Sequence, residues 1–96
     1  MTHRARKVDA NQPAIVRTLR QIPGVTVMIL SDAGDGRPDL LVRSRAKRIY
    51  LVEIKDGAKK PSEQRLTDKE QKVSNEWGDD YVVVKSVDQA IRLVTT

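Results

Sequence analysis

Cysteine and phenylalanine are absent from the 96 residues, and histidine and tryptophan occur once each. Without cysteine there are no disulfides, thiolate zinc sites or cysteine nucleophiles, and the lone His3 argues against imidazole metal sites and a Ser-His-Asp triad. Any catalytic site has to be built from carboxylates and lysine. With one Trp (Trp77) and two Tyr (Tyr50 and Tyr81), flat rings are too few to stack a run of single-stranded bases. No apolar run approaches the ~20 residues of a membrane span. The opening "MTHRARK" lacks the apolar segment of a secretory signal. The expectation is an intracellular, cytoplasmic protein of a cell or of a virus's host, with no membrane partner.

Positive charge is in excess. Eighteen Lys and Arg against 13 Asp and Glu give a formal charge of +5 and a pI near 9.8, which favours a polyanionic partner. Given the scarcity of rings, a duplex or its backbone fits better than isolated bases. The length allows one core and no separate substrate-binding domain, so an active site would be open or shared. No internal repeat, low-complexity tract or linker interrupts the chain, which reads as a basic arm over residues 1–8 and one domain over 9–96.

Along that domain, "VDANQPAIVRTLRQIPG" sets Ile15, Val16, Leu19 and Ile22 on one helical stripe, with Asp9 or Asn11 as a cap and Pro23-Gly24 as a stop. "VTVMIL" is a β-branched strand and "SDAGDGRP" a turn-rich loop. "DLLVRS" and "RIYLVEI" flank the polar turn "RAK" as an antiparallel hairpin. After the exposed loop "DGAKKPSEQRL", Thr67 with Glu70 three residues on forms a capping box that starts a second helix. "DYVVVKS" is a fourth strand, and "SVDQAIRLV" a closing helix packing Val87, Ala90, Ile91 and Val94. The order α-β-β-β-α-β-α predicts an α/β fold bordering on α+β, a mixed sheet flanked by helices with a parallel crossover through the second helix.

The hairpin "PDLLVRSRAKRIYLVEIK" carries charges where its strands end. A turn centred on Ala46 makes facing residues sum to 92, so Asp39 opposes Glu53 with Cβ atoms roughly 5 Å apart. Alternation puts Glu53 and Lys55 on one face and Val52 and Ile54 on the other. Opposed carboxylates repel unless a divalent cation lies between them, and hard oxygen ligands suit Mg2+ or Mn2+. A slip of one residue would send Asp39 to the other face, and solvated strand-end charges with a weak Glu53-Lys55 ion pair are the plain alternative.

"GDGRPDLLV" followed by "IYLVEIK" resembles the PD-(D/E)xK nuclease superfamily, with Pro38-Asp39 as one half of the signature and Glu53-Ile54-Lys55 as the other. The resemblance is closer still to the small VRR-NUC type found in phages, in which a G-x-P-D-L strand, an E-x-K strand and a helix carrying Gln follow in this order. It implies a restriction-endonuclease-like core and a metal-dependent deoxyribonuclease. Asp39, Glu53 and the Ile54 carbonyl would bind Mg2+ or Mn2+, Lys55 would orient or activate the attacking water, and Gln71 would support Lys55 or that water. Members often add a helical Glu; the first helix here offers only Asp9 and Asn11, and Asp9 also reads as an N-cap. Gln71 also reads as a solvent-facing helix residue.

Arg4, Arg6 and Lys7 in the arm and Lys59, Lys60 and Arg65 after the E-x-K strand are the candidate contacts to a DNA backbone. Cutting both strands of a duplex needs two sites, and the resemblance also points to a homodimer like the Holliday-junction resolvases. Its candidate surfaces are the hairpin's outer face and the helix ending at Trp77. Branched or four-way-junction DNA is then a candidate substrate. Two other classes stay open: a catalytically silent nucleic-acid-binding module with a nuclease fold, and a structural or interaction protein whose charges are only surface.

Overall fold

The computed structural model describes residues 9–30 and 36–96; the basic arm and residues 31–35 lie outside the described residues. Helix α1 (Gln12–Arg20) leads into β1 (Thr26–Ile29), β2 (Leu40–Arg43) and β3 (Ile49–Ile54). Helix α2 (Asp68–Trp77), β4 (Tyr81–Val84) and α3 (Val87–Thr95) follow, with single 3-10 turns at Pro61–Gln64 and Gly78–Asp80. The four strands form one sheet in the order β1-β2-β3-β4. β1, β2 and β3 pair antiparallel, whereas β3 and β4 pair parallel across α2. This is an α+β arrangement with the expected element order and crossover.

Apolar periodicity decides which face of the sheet becomes the core. Leu40, Val42, Val52, Ile54 and Val84 alternate onto one face, where Ile15, Val16 and Leu19 of α1 and Ala90 and Val94 of α3 close over them. Truncating a fully buried Leu19 or Ile15 to Ala would cost about 2–5 kcal/mol, since neighbours only partly fill the cavity. Helix α1 ends at Arg20 ahead of Pro23, and Gly24 takes φ +85 in the turn into β1.

Of the two caps expected for α1, Asn11 takes the position but not the role. Asn11 occupies the N-cap position but makes no side-chain cap hydrogen bond, and Asp9 contributes only its main-chain carbonyl, to Gln12 N–H. The Asn11 amide donates instead to the Lys55 and Lys85 carbonyls, both at 3.2 Å, pinning the start of α1 to the ends of β3 and β4. A tertiary partner has outcompeted the local one. At α2 the capping box is complete, with Thr67 Oγ1 accepting from Glu70 N–H and Glu70 Oε1 accepting from Thr67 N–H.

Candidate active site

The hairpin register brings the two halves of the signature together. Leu40 pairs with Val52 and Arg43 with Ile49, so facing residues sum to 92 and Asp39 stands opposite Glu53. The turn closes through Ser44 N–H to the Arg48 carbonyl and Lys47 N–H to the Ser44 carbonyl, with Lys47 at φ 67. Just beyond β2, the Asp39 carbonyl accepts from Leu30 N–H at 2.7 Å, and Asp39 Oδ2 accepts from Ile54 N–H at 2.7 Å. Its carboxylate is thus fixed to the end of β3 by a strong, short bond.

Alternation then does what the spacing implies. Val52 and Ile54 face the core, while Glu53 and Lys55 emerge on the opposite face, under α2. Asp39 is 6% and Glu53 2% exposed, which makes this a buried anionic pair. Burial first, and then the neighbouring Asp39 and Glu70 charges, push the Glu53 carboxyl from 4.5 up to about 9. The pair therefore favours holding one proton, shared through a hydrogen bond between Glu53 and Asp39. Tyr81 OH, on β4, reaches Glu53 Oε1 at 3.5 Å, and its own pKa is raised by burial and by the Glu53 charge.

Lys55 ties the sheet to α2. Its Nζ lies 2.8 Å from Glu70 Oε1 and 3.7 Å from Glu53 Oε2. Burial pulls the ammonium's pKa down, but the hydrogen bond and charge of Glu70, with Glu53 behind it, raise it above its ordinary value. Burial likewise pushes Glu70 up, yet the Lys55 hydrogen bond and the Thr67 N–H hold it below the usual carboxylate range.

Helix α2 can come this close because of Gly36. A Cβ there would lie 2.6 Å from the Lys69 carbonyl carbon and oxygen, and its φ is +78, so glycine alone meets both demands. Gly36, just ahead of the strand that carries Asp39, is therefore also the seat of the helix that delivers Glu70.

Of the residues singled out by sequence, Asp39, Glu53, Ile54 and Lys55 come together. Gln71 does not join them: it is exposed and its amide donates to Asn75 Oδ1 at 2.9 Å, because one step along the helix turns it about 100° away from Glu70. Asp9 is half-buried and accepts from Lys59 Nζ at 3.4 Å, and Asn11 is spent on the two main-chain carbonyls. Lys60 and Arg65 are exposed on the loop after β3, with Lys59 beside them. Arg4, Arg6 and Lys7 lie outside the described residues.

Sequence reasoning missed Glu70 and Tyr81. Glu70 was visible only as the third residue of a capping box, a role that normally leaves the side chain in solvent, and Tyr81 only as the start of a strand. No local signal marks either one, because the face of α2 that meets the sheet is set by contacts distant in sequence, Gly36 against Lys69 and Tyr81 beside Leu51.

Among the described residues no set of three or more His, Cys, Asp and Glu side chains could cage a metal ion. The donor set is smaller: two adjacent carboxylates and the main chain at Ile54. Mg2+ takes one or two carboxylates and keeps several waters, and a cation held by Asp39 and Glu53 would replace the proton that burial, and then their repulsion, favours there. On that chemistry the residues fit a hard divalent cation.

No family model and no curated protein matches the chain. Among solved structures, a VRR_NUC domain is similar to it at 28% sequence identity and a TM-score of 0.58, over 90% of this chain and 96% of that one. The chain thus has a PD-(D/E)xK-like nuclease fold of the VRR-NUC type.

Proposed function

We propose that this chain is a Mg2+- or Mn2+-dependent endonuclease that hydrolyses DNA phosphodiester bonds, with a preference for branched or four-way-junction DNA. The observation that carries the reading is the buried Asp39-Glu53 pair at one strand end with the Lys55 ammonium 3.7 Å from Glu53. Asp39, Glu53 and the Ile54 carbonyl would hold the cation. A bound divalent cation supplies acidification of the attacking water and neutralisation of the phosphate's growing charge. Lys55 places a compact positive charge beside that position, and being a donor only it cannot serve as a ligand while charged. Lys59, Lys60 and Arg65, with Arg4, Arg6 and Lys7 of the arm, would hold the DNA backbone.

Two strands need two sites, so the active species in the cytoplasm would be a two-fold homodimer. The sheet face carrying Met28, Leu41, Ile49 and Leu51 bears no helix over β1 and β2 among the described residues, and Trp77 flanks it at 55% exposure. Both signs of charge rim this strip, Arg43 and Arg48 with Asp80, which lies 3.6 Å from the Arg48 guanidinium. That balance suits a second copy of the chain and not a polyanion.

The test is incubation of the purified protein with duplex, flap, single-stranded and four-way-junction DNA, with and without Mn2+, beside Asp39→Ala. Cleavage that needs both Mn2+ and Asp39 supports the reading. Salt-dependent binding with no cleavage under any condition supports a catalytically silent module. That second reading is favoured by one observation: α1 supplies no carboxylate to the pair, since Asp9 is engaged by Lys59.

A further inference from the structure

Glu70 satisfies two partners with one atom. Its Oε1 accepts the Lys55 ammonium at 2.8 Å and the Thr67 main-chain N–H at 2.9 Å. A capping box asks only for the second of these, and it is ordinarily met on an exposed first turn. Here the residue is 6% exposed, and its side chain points at the sheet. The helix start it belongs to is itself fixed, since Gly36, three residues before Asp39, packs against the Lys69 peptide. A carboxylate at a helix N-terminus is also stabilised as an anion by the N–H groups around it.

These contacts form a closed loop of constraints. Asp39 is bonded to the end of β3 through Ile54 N–H, Lys55 follows on that strand, Glu70 holds Lys55, and the turn ahead of Asp39 seats Glu70. Lysine has four rotatable side-chain bonds and, unheld, would spread its ammonium over several ångströms. From this geometry we infer that Glu70 is a positioning residue: it holds the Lys55 ammonium beside Glu53, and the Thr67 main-chain N–H, which does not depend on the Thr67 side chain, fixes the Glu70 oxygen. The consequence for turnover rests on the nuclease reading above; the position of the ammonium does not.

Two variants separate the roles. Glu70→Gln keeps an Oε1 acceptor for Thr67 N–H and removes the charge that holds Lys55. Thr67→Ala removes the reciprocal cap bond and leaves the Glu70-Lys55 pair in place. The first readout needs no activity: the Lys55 ammonium resonance in nitrogen-proton correlation spectra at low temperature. The expected result is a resolved, slowly exchanging signal in the parent and in Thr67→Ala, lost in Glu70→Gln. The second readout is cleavage of a DNA substrate with Mn2+. Glu70→Gln should lower kcat roughly tenfold to a hundredfold with KM within about twofold, a smaller loss than for removing a charge that itself faces the reaction. Thr67→Ala should lower thermal stability and leave kcat near the parent value. An unchanged Lys55 signal in Glu70→Gln, or its absence in the parent, would overturn the assignment. Equal kcat losses in the two variants would reduce Glu70 to a structural cap. A parent protein with no cleavage but the expected ammonium pattern would overturn the nuclease reading and uphold the positioning role.

Discussion

Replacing Glu53 by Gln should make the metal-free protein more stable at neutral pH and flatten the pH dependence of its stability. The carboxyl rises from 4.5 in the unfolded chain to about 9 in the fold, because it is buried beside Asp39 and Glu70. For a group whose folded pKa is raised, the favourable contribution is complete below pH 4.5 and is lost as pH climbs toward 9. At pH 7 folding must take up about one proton, which costs about 3 kcal/mol against about 1 kcal/mol at pH 5. A glutamine has nearly the shape of the protonated acid, can still donate to Asp39, and carries no such penalty.

Urea unfolding of both proteins at pH 5, 6, 7 and 8, with chelator present, measures this directly. The parent should lose about 2 kcal/mol between pH 5 and pH 7 through this one group, and Glu53→Gln should not show that part of the slope. Linked to it, uptake of Mg2+ by the parent should release close to one proton at pH 7, seen as a buffer-dependent heat in titration calorimetry. Superimposable pH profiles for the two proteins would refute the reasoning, because Glu53 would then be ionised in the fold and its pairing with Asp39 harmless.

Lys55→Ala should lower cleavage on the order of a hundredfold to a thousandfold while DNA affinity changes little, measured by single-turnover rates beside binding isotherms; Lys55→Arg should not restore the rate, since a planar fork does not reproduce a compact charge. Ala at both Lys59 and Lys60 should reduce the slope of log affinity against log salt by roughly one unit per lost phosphate contact, and an unchanged slope would remove that loop from the DNA surface. Ile49→Asp, on the open sheet face where Ile49 is 54% exposed, should turn a dimer into a folded monomer in sedimentation equilibrium; a parent that is already monomeric at micromolar concentration would contradict the dimer. Gly36→Ala should destabilise the fold and weaken the Lys55-Glu70 pair by driving α2 off its seat, checked by denaturation and by the Lys55 ammonium signal.

Much of this architecture could be read from local rules, because the relevant forces are local. Alternation fixed the two faces of β3, and a three-residue polar turn fixed the register at a sum of 92. The stripe of Ile15, Val16 and Leu19 does face the core, and Thr67 with Glu70 does cap α2. What local rules could not supply were side chains whose partners are far away in sequence. Asn11 abandons its cap for carbonyls 44 and 74 residues on, a competition that no window of sequence displays.

The Glu70-Gln71 pair shows the same limit at the site itself. Helical period places them on different faces, but which face meets the sheet depends on where the crossover lands, and that is set by Gly36 against Lys69 and by Tyr81 pairing with Leu51. Gln71 stands out through the resemblance, whereas capping by itself is a sufficient local role for Glu70. A residue with one sufficient local role is the easiest place to overlook a second. Here the second role is the more consequential, since the same oxygen that ends the helix's unsatisfied N–H also fixes the charge beside the buried carboxylate pair. Its helix therefore cannot move without moving Lys55, so loss of the Gly36 seat should disturb the Lys55 ammonium as well as the fold.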